Sequence, residues 1–182
     1  MKMPVLETER LRIRPFVETD YAAVLTTFEV TRNAATQQAW LRQWLHWNSI
    51  NPEVLAKLYQ PPYGDRAVEL KAAGTVVGAC GLVPSFGPFE QLEGGGPALN
   101  SPEIGLFYWF APEACGQGYA TEAAHALVRF AFETLRVKRI VATTEFDNAA
   151  SQAVMRKLGM RLTRNPLPQP EWFQVVGILD NQ

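Results

Sequence analysis

Residues 103–135 place a short apolar stretch, a glycine loop and a helical pattern in direct succession. The stretch 103–110 (E-I-G-L-F-Y-W-F) is short, apolar and aromatic, which predicts a buried strand. Between positions 120 and 135 the apolar residues recur at steps of three and four, which predicts one apolar helix face. Gly116 and Gly118 separate the two patterns. The segment therefore predicts a strand, a glycine loop and the N-terminus of a helix.

Such a loop suits the binding of a phosphate group. The first turn of a helix leaves N–H groups without acceptors, and the helix dipole adds a positive potential there. Glycine allows a tight turn and lets an anion approach the bare N–H groups, so a phosphate or diphosphate is the expected ligand. A second interpretation is that Gly116 and Gly118 only make a tight turn, and the two glycines alone do not distinguish these interpretations.

Three types of phosphate-binding loop compete for this segment. A Walker loop requires Lys-Ser or Lys-Thr after its last glycine, whereas Tyr119 and Ala120 follow Gly118, which excludes it. A dinucleotide fingerprint requires a small residue three positions after its second glycine and an acid about twenty residues further on. Thr121 and Glu145 are the candidates for those two places. The third type is the loop that binds the diphosphate of an acyl-coenzyme A.

A resemblance favours the third type. Residues 113–118 (E-A-C-G-Q-G) resemble the central Gln/Arg-x-x-Gly-x-Gly/Ala motif of the GNAT superfamily of N-acetyltransferases. The continuation G-Y-A-T-E-A is similar to the subgroup that acetylates ribosomal-protein N-termini, while Glu113 and Cys115 depart from the family pattern. The resemblance implies acetyl-CoA as co-substrate. It also implies the cofactor contacts, which are Phe110 and Ala111 at the thioester and pantetheine, Cys115 nearby, and Gly116, Gln117, Gly118, Tyr119, Ala120 and Thr121 at the diphosphate.

A second segment, residues 148–160, is similar to the family's Asn-x-x-Ser-x-x-hydrophobic-x-x-Lys-Leu-Gly-Phe pattern. The resemblance adds Asn148 and Ser151 to the cofactor contacts, although both are also good residues for the first turn of a helix. Many superfamily members protonate the departing thiolate with a tyrosine at the place of Met155, which cannot donate a proton. The resemblance therefore implies Ser151 as the general acid and Glu103 as the general base. The alternative interpretation of Glu103 is a charged strand end.

The order of elements predicts a mixed sheet of the α+β class. Hairpins at the start, one parallel crossover through the helix after Gly118 and two strands at the end give a mostly antiparallel sheet flanked by helices. This order disfavours the dinucleotide interpretation, which requires repeated βαβ units. The 182 residues suffice for one acetyltransferase-like domain spanning residues 1–182.

Several local patterns carry their own expectations. Residues 6–16 predict a single half-buried strand whose arginines form a solvated face, and E-T-E-R-L-R-I-R within it resembles the opening strand of the same subgroup. A helix from Thr36 carries a tryptophan stripe, interpreted as core packing or as a wall of the acceptor pocket, and ends at Asn51-Pro52. The Gly- and Pro-rich residues 85–101 predict a long mobile loop.

Composition excludes several classes of function. The net charge of −1 opposes a broad nucleic-acid surface, and two cysteines with two histidines predict neither a metal site nor a disulfide framework. No apolar run approaches membrane-spanning length, and the N-terminus has no apolar signal core. We therefore expect a soluble cytoplasmic protein without a nucleic-acid or membrane partner.

The leading hypothesis is an acetyl-CoA-dependent N-acetyltransferase acting on a primary amine. The acceptor is a protein N-terminus, an amino acid, a polyamine or a drug-like amine, and the motifs do not choose among them. Met155, Glu113 and Cys115 motivate a second hypothesis, a non-catalytic acyl-CoA-binding sensor or assembly module. A dinucleotide-binding protein is the third. The sequence leaves the oligomeric state open, with a homodimer among the arrangements that fit.

Overall fold

Eight strands and five α-helices form the described part of the chain, which in this computed structural model comprises residues 1–28, 35–92, 99–165 and 171–181. The strands are β1 Leu6–Glu7, β2 Leu11–Arg14, β3 Gly64–Leu70, β4 Thr75–Gly87, β5 Ser101–Phe110, β6 Arg139–Thr144, β7 Arg161–Arg164 and β8 Val175–Asp180. The helices are α1 Tyr21–Thr27, α2 Ala35–Lys57, α3 Phe89–Leu92, α4 Tyr119–Arg129 and α5 Ala149–Lys157. A π-helical turn, Phe130–Thr134, extends α4.

The strands form one mixed sheet in the order β1-β2-β3-β4-β5-β6-β8-β7. The pairs β1–β2, β2–β3, β3–β4, β6–β8 and β7–β8 are antiparallel, and β5–β6 is parallel. Helix α4 lies in the chain between the two parallel strands, so it is the predicted crossover. The predicted α+β fold with a mostly antiparallel sheet is confirmed.

Contacts divide the chain into two compact units, Met1–Leu82 with Phe107–Leu127, and Val83–Leu106 with Val128–Gln182. The single domain spanning residues 1–182 stays a prediction. The core of the first unit is formed by residues from its first helices and strands, namely Phe16, Val24, Leu41, Leu45, Ala67 and Ala79. The core of the second unit consists of Phe89, Val141, Phe173, Val176 and Ile178. No helix in the described ranges is both long and apolar enough to cross a membrane.

The first predicted strand is two strands, β1 and β2, joined by a turn in which Thr8 bonds to Leu11. Its arginines differ in their surroundings. The side chain of Arg12 is 44% exposed, yet it pairs with Glu7 and Glu69, whereas Arg14 is only 21% exposed and pairs with Glu69 and Asp20. The expected solvated face is therefore wrong for Arg14, because carboxylates from neighbouring elements neutralise it.

Helix α2 continues through Pro52 to Lys57, so the predicted end at Asn51-Pro52 is wrong. Proline removes an N–H donor and usually breaks a helix interior. Here two buried asparagines connect this turn of the helix to β3. Asn48 Oδ1 accepts from the Asp65 N–H at 2.8 Å, and Asn51 Nδ2 donates to Asn48 Oδ1 at 3.4 Å. The bond to Asp65 therefore fixes the helical turn that directly precedes the proline.

The long loop predicted for residues 85–101 is wrong over its first part. Strand β4 runs to Gly87, α3 follows, and β5 already begins at Ser101, while residues 93–98 lie outside the description. Phe89 is fully buried, and its ring lies 5.3 Å from that of Phe173, measured between centroids. Burial of one aromatic side chain thus orders a segment whose composition is typical of a loop.

Strand β4 contains an irregularity opposite β3. Val68 pairs with Gly78 and Glu69 with Val76, so Val77 has no partner on β3. A Cβ at Gly78 would lie 2.6 Å from the Trp109 carbonyl oxygen, and one at Gly81 would lie 2.3 Å from the carbonyl oxygen of Gly64. Both glycines therefore permit close approach between strands, and the register shift lies next to Gly78.

Candidate functional site

The glycine loop begins where β5 ends. The N–H of Ala111 donates to the carbonyl oxygen of Val77 at 3.0 Å, and the N–H of Ala114 donates to the carbonyl oxygen of Ala111 at 2.9 Å. Residues 112–114 form a 3-10 turn, and α4 begins at Tyr119. Both backbone polar groups of Ala111 thus have partners within the protein, and its contact with a cofactor stays a prediction.

Gly116 and Gly118 both adopt left-handed backbone conformations, with φ of 74° and 81°. A Cβ at Gly116 would meet no atom within 4 Å, so backbone conformation rather than packing requires glycine there. Among the described residues, no backbone or side-chain acceptor receives the N–H groups of residues 116–121. The next internal bond is the one from the Glu122 N–H to the Gly118 carbonyl oxygen, at 3.0 Å. The loop therefore presents bare N–H groups at the start of a helix, which suits an anion.

The side chains of the loop are mostly exposed. Cys115, Gly116, Gln117 and Gly118 lie at the surface, and Tyr119, Ala120 and Thr121 at the start of α4 are partly exposed. The Cys115 thiol points back to the end of β5, with its Sγ 3.5 Å from the Ala111 carbonyl oxygen and 3.9 Å from that of Phe110. Of the seven predicted cofactor contacts at positions 115–121, the last six carry the bare N–H groups and Cys115 directly precedes them.

A groove of about 840 Å³ runs beside this loop. Its walls come from β2 and α1, from the β3–β4 hairpin and from the loop after β5: Arg14, Thr19, Asp20, Ala22, Ala23, Thr26, Thr27, Leu70, Gly74, Thr75, Val76, Val77, Ala111, Glu113, Ala114, Gln117 and Tyr119. The one arginine of the lining is paired with Asp20, and the lining includes four threonines. The groove has the size of a small-molecule site.

Trp40 and Trp44 of α2 belong to an aromatic cluster that includes the end of β5. Phe28 stacks on Trp109 with 5.4 Å between ring centroids, and Trp44 packs edge-on against Phe28 and Phe16 at 5.0 Å. Trp109 Nε1 also donates to the Thr27 carbonyl oxygen at 2.9 Å. Trp44 packs against the core, which agrees with the core-packing interpretation of the tryptophan stripe, whereas 45% of Trp109 remains exposed.

Asp65 forms a hydrogen bond with this aromatic cluster. Trp44 Nε1 donates to Asp65 Oδ2 at 3.1 Å, while Oδ1 is buried without a hydrogen-bond partner among the described residues. Burial raises the pKa of Asp65 to about 6, although the bond from Trp44 acts in the opposite direction. The negative charge of Asp65 in turn adds to burial in raising the pKa of the nearby Cys80 thiol. Asp65 is thus a buried acid that no sequence motif indicated.

Glu103, the predicted general base, forms an ion pair with Arg139. Only 13% of the Glu103 side chain and 10% of the Arg139 side chain are exposed. The pair joins the third residue of β5 to the first residue of β6, next to the paired residues Ile104 and Ile140. The ion pair with Arg139 agrees with the alternative interpretation of Glu103 as a charged strand end. The role of Glu103 as general base stays a prediction.

The second motif forms the start of α5. Asn148 caps the helix, because its Oδ1 accepts from the Ser151 N–H at 3.0 Å. Ser151 is partly buried in the first turn. Met155 is fully buried, and its sulfur lies 3.2 Å from the position of a Cβ on Gly177. The cap interpretation of Asn148 is confirmed, and the catalytic role of Ser151 stays a prediction.

The sequence analysis did not identify a group of residues from other elements that bonds to the glycine loop. Arg10, Thr8 and Glu122 form a hydrogen-bonded group that reaches the glycine loop. The motif similarities at E-T-E-R and G-Y-A-T-E-A contain all three residues, but 112 positions separate Arg10 from Glu122. In the described ranges no three acidic, histidine or cysteine side chains lie close enough together to hold a metal ion.

Comparison with known protein families identifies the family of this chain. A sequence model described as an acetyltransferase (GNAT) domain matches residues 10–161. The chain belongs to the GNAT acetyltransferase family. As a GNAT protein it is an acyltransferase that uses acetyl-CoA, and the bare N–H groups of residues 116–121 fit the diphosphate of that co-substrate.

Individual relatives agree with this assignment. YoaA of Bacillus subtilis, described as an uncharacterized N-acetyltransferase, is 29% identical over 167 residues, covering 87% of this GNAT chain and 83% of YoaA. An acetyltransferase from Agrobacterium tumefaciens has a similar structure, with a TM-score of 0.70 and 26% identity, covering 98% and 95% of the two chains. The ribosomal L7/L12 acetyltransferase RimL, solved with coenzyme A, shares the fold at a TM-score of 0.62 and 16% identity, covering 96% of each chain.

Proposed function

We propose that this protein transfers the acetyl group of acetyl-CoA to a primary amine by direct attack in a ternary complex. The observation that carries the proposal is the row of bare N–H groups at residues 116–121, at the N-terminus of an eleven-residue helix. Hydrogen bonds from neutral donors to a charged group contribute about 1.5–3 kcal/mol each. Three or four of them can therefore bind a diphosphate without a lysine.

In this proposal the cofactor extends along the loop and the end of β5. Gly116 to Thr121 hold the diphosphate, and Phe110 lies beside the pantetheine arm and the thioester. Cys115, whose thiol points to the Phe110 carbonyl oxygen, lies next to that arm. Asn148 and Ser151 complete the contacts by resemblance to the family. Because the Ala111 N–H already donates to Val77, we assign to Ala111 only contact through its side chain.

The acceptor amine enters, in this proposal, through the groove beside the loop. Its volume of about 840 Å³ suits a small amine or the first residues of a peptide. Glu113 lines the groove and is exposed, so this departure from the family motif gives the groove a carboxylate that can attract a protonated amine. The RimL neighbour acts on a protein N-terminus, and the same acceptor class is a candidate here.

The reaction needs one proton removed and one supplied. The unprotonated amine nitrogen attacks the thioester carbonyl carbon, the carbon–sulfur bond breaks, and the thiolate leaves with the electron pair. An N-terminal amine has an unperturbed pKa of about 8, so a substantial fraction is already neutral near that pH. We propose Glu103 as acceptor of the amine proton and Ser151 as donor to the thiolate. Positioning of the two substrates supplies a large part of the acceleration.

Calorimetry with acetyl-CoA and with NAD tests the cofactor, and release of free thiol across a panel of amines tests the reaction. We expect binding of acetyl-CoA but not of NAD, and thiol release with at least one amine that carries a free primary amino group. Binding of acetyl-CoA without thiol release from any amine would instead favour the non-catalytic acyl-CoA-binding module. Met155 favours that second function, because a buried core residue occupies the place of the usual proton donor.

A further inference from the structure

The side chain of Arg10 contacts the glycine loop and the first turn of α4 at three positions. Its Nη1 donates to the Gln117 carbonyl oxygen at 3.0 Å, and its guanidinium carbon lies 4.6 Å from the centroid of the Tyr119 ring. Its Nε donates to Glu122 Oε2 at 2.7 Å, and Nη2 lies 2.6 Å from the same oxygen. One residue of the first hairpin thus connects to both sides of Gly118.

Glu122 receives a complete set of partners from this hairpin. In addition to the bonds to Oε2, Oε1 accepts from the Thr8 hydroxyl at 2.6 Å and from the Arg10 N–H at 2.9 Å. Partial burial raises the pKa of Glu122, but the bonds from Thr8 and Arg10 outweigh it, so the pKa is lowered overall. Thr8 is itself fixed, because its hydroxyl accepts from the Leu11 N–H at 2.9 Å. The carboxylate is therefore ionised and held in one orientation.

The glycine loop needs such an external contact because few backbone hydrogen bonds join its own residues. Between the bond from the Cys115 N–H to the Pro112 carbonyl oxygen and the bond from Glu122 to Gly118, no backbone bond joins loop residues within the described ranges. Two glycines in this interval increase the conformational freedom that binding would otherwise have to remove. The closest atom to a Cβ on Gly118 would be Arg10 Nη2, at 3.5 Å.

The positive charge of Arg10 does not by itself explain why this residue lies beside the glycine loop. The guanidinium is compensated by the Glu122 carboxylate, so the pair adds no net charge beside the expected diphosphate. An isolated carboxylate in the first turn of α4 would repel that diphosphate. A neutral pair that fixes the backbone favours binding through geometry, since a loop held in its binding conformation loses less entropy when the ligand arrives.

We propose that Arg10 is a positioning residue for the co-substrate, acting with Thr8 and Glu122 to hold residues 116–121 in the conformation that exposes their N–H groups. The inference rests on the proposed function, because it assigns the diphosphate of acetyl-CoA to this loop. It adds a requirement that the glycine motif alone does not contain. The first hairpin is part of the cofactor site without itself binding the cofactor.

Glu122→Gln decides between positioning and simple charge attraction, because the two ideas predict opposite signs. If Arg10 attracts the diphosphate as a charge, removal of the neighbouring carboxylate tightens binding of acetyl-CoA. If the pair positions the loop, Glu122→Gln weakens binding, and we expect about a ten-fold rise in Kd, the loss of about one charge-assisted bond. Tighter binding in calorimetry overturns the inference.

Arg12→Met provides the matched control for Arg10→Met. Both arginines lie on the first hairpin with nearly equal side-chain exposure, 43% and 44%, but Arg12 pairs with Glu7 and Glu69 rather than with the loop. We expect Arg10→Met to raise the KM for acetyl-CoA at least ten-fold while the KM for the amine stays within two-fold. Arg12→Met should change neither constant by more than two-fold.

Arg10→Lys keeps the charge but loses the forked geometry, so we expect an intermediate rise in the KM for acetyl-CoA. This variant also serves if Arg10→Met does not fold. Unaltered affinity in Arg10→Met, Arg10→Lys and Glu122→Gln, with a wild-type protein that binds acetyl-CoA, overturns the positioning role alone. A wild-type protein that does not bind acetyl-CoA overturns the proposed function, so the two failures are distinguishable.

Discussion

Replacement of Gly116 by alanine tests the backbone conformation on which cofactor binding depends. The added methyl group meets no atom within 4 Å, so no steric clash confuses the result. The φ of 74° costs an alanine about 1–2 kcal/mol, and the residue can relieve that strain by turning to negative φ. Such a turn changes the orientation of the adjacent N–H groups that the proposal assigns to the diphosphate. Each charge-assisted bond lost is worth about 1.5–3 kcal/mol, so we expect acetyl-CoA to bind about ten- to a hundred-fold more weakly.

Gly159→Ala is the matched control for this substitution. Gly159 has a φ of 83° after α5, and a Cβ there would lie 3.9 Å from the nearest side-chain atom, Leu179 Cδ1. Both variants should therefore lose a similar amount of stability in thermal denaturation, about 1 kcal/mol. Only Gly116→Ala should weaken acetyl-CoA in calorimetry. Equal Kd values for the wild type and Gly116→Ala, with a lowered Tm in both variants, would refute the assignment of the loop.

Four further substitutions test other parts of the site. Ala22→Trp places an indole in the groove and should raise the KM for the amine at least five-fold, with little change in the KM for acetyl-CoA. Ala153→Trp, on an exposed face of α5, is its control. An equal change in the KM for the amine in both variants would exclude the groove as the entrance. Ser151→Ala should lower kcat about ten-fold or more and weaken the binding of acetyl-CoA by a smaller factor, and a normal kcat would remove its acid role. Glu103→Gln should lower kcat about a hundred-fold or more if Glu103 is the base, whereas a purely structural role would lower only the Tm. Asp65 has a folded-state pKa of about 6 against an ordinary value of 3.8, so its ionisation lowers the free energy of unfolding as the pH rises from about 4 to about 6. Asp65→Asn should therefore gain stability above pH 6, at most about 3 kcal/mol, and none below pH 4, and denaturant melts showing the same difference at both pH values would contradict this reasoning.

Local patterns predicted those parts of the molecule that local interactions form. The strand, glycine loop and helix at residues 103–135 appear in the structure because apolar periodicity, backbone freedom at Gly116 and Gly118, and an acceptor-free first turn are all properties of adjacent residues. The cap at Asn148 is predictable for the same reason, since its partner is three positions away.

Interactions between distant segments escaped prediction. A proline predicts a helix end, but α2 continues through Pro52, and Asn48 in the turn before it accepts from the Asp65 N–H of β3, which lies further along the chain. The arginines of the first hairpin alternate with apolar residues as on a solvated strand, yet the partners of Arg10 and Arg14 come from other elements. The groove combines three separate stretches of the chain, so no single pattern could indicate it.

The unpaired residue of β4 links the regularity of the sheet to the place where the loop departs. Val77 has no partner on β3, and its carbonyl oxygen instead receives the N–H of Ala111, the residue at which β5 gives way to the loop. Deleting this one residue would give an uninterrupted ladder in which every later residue of β4 keeps its partner on β3, but it would remove the acceptor of Ala111. An engineer who idealised this sheet would therefore gain a tidier hairpin and forfeit the anchor from which the phosphate-binding turn departs.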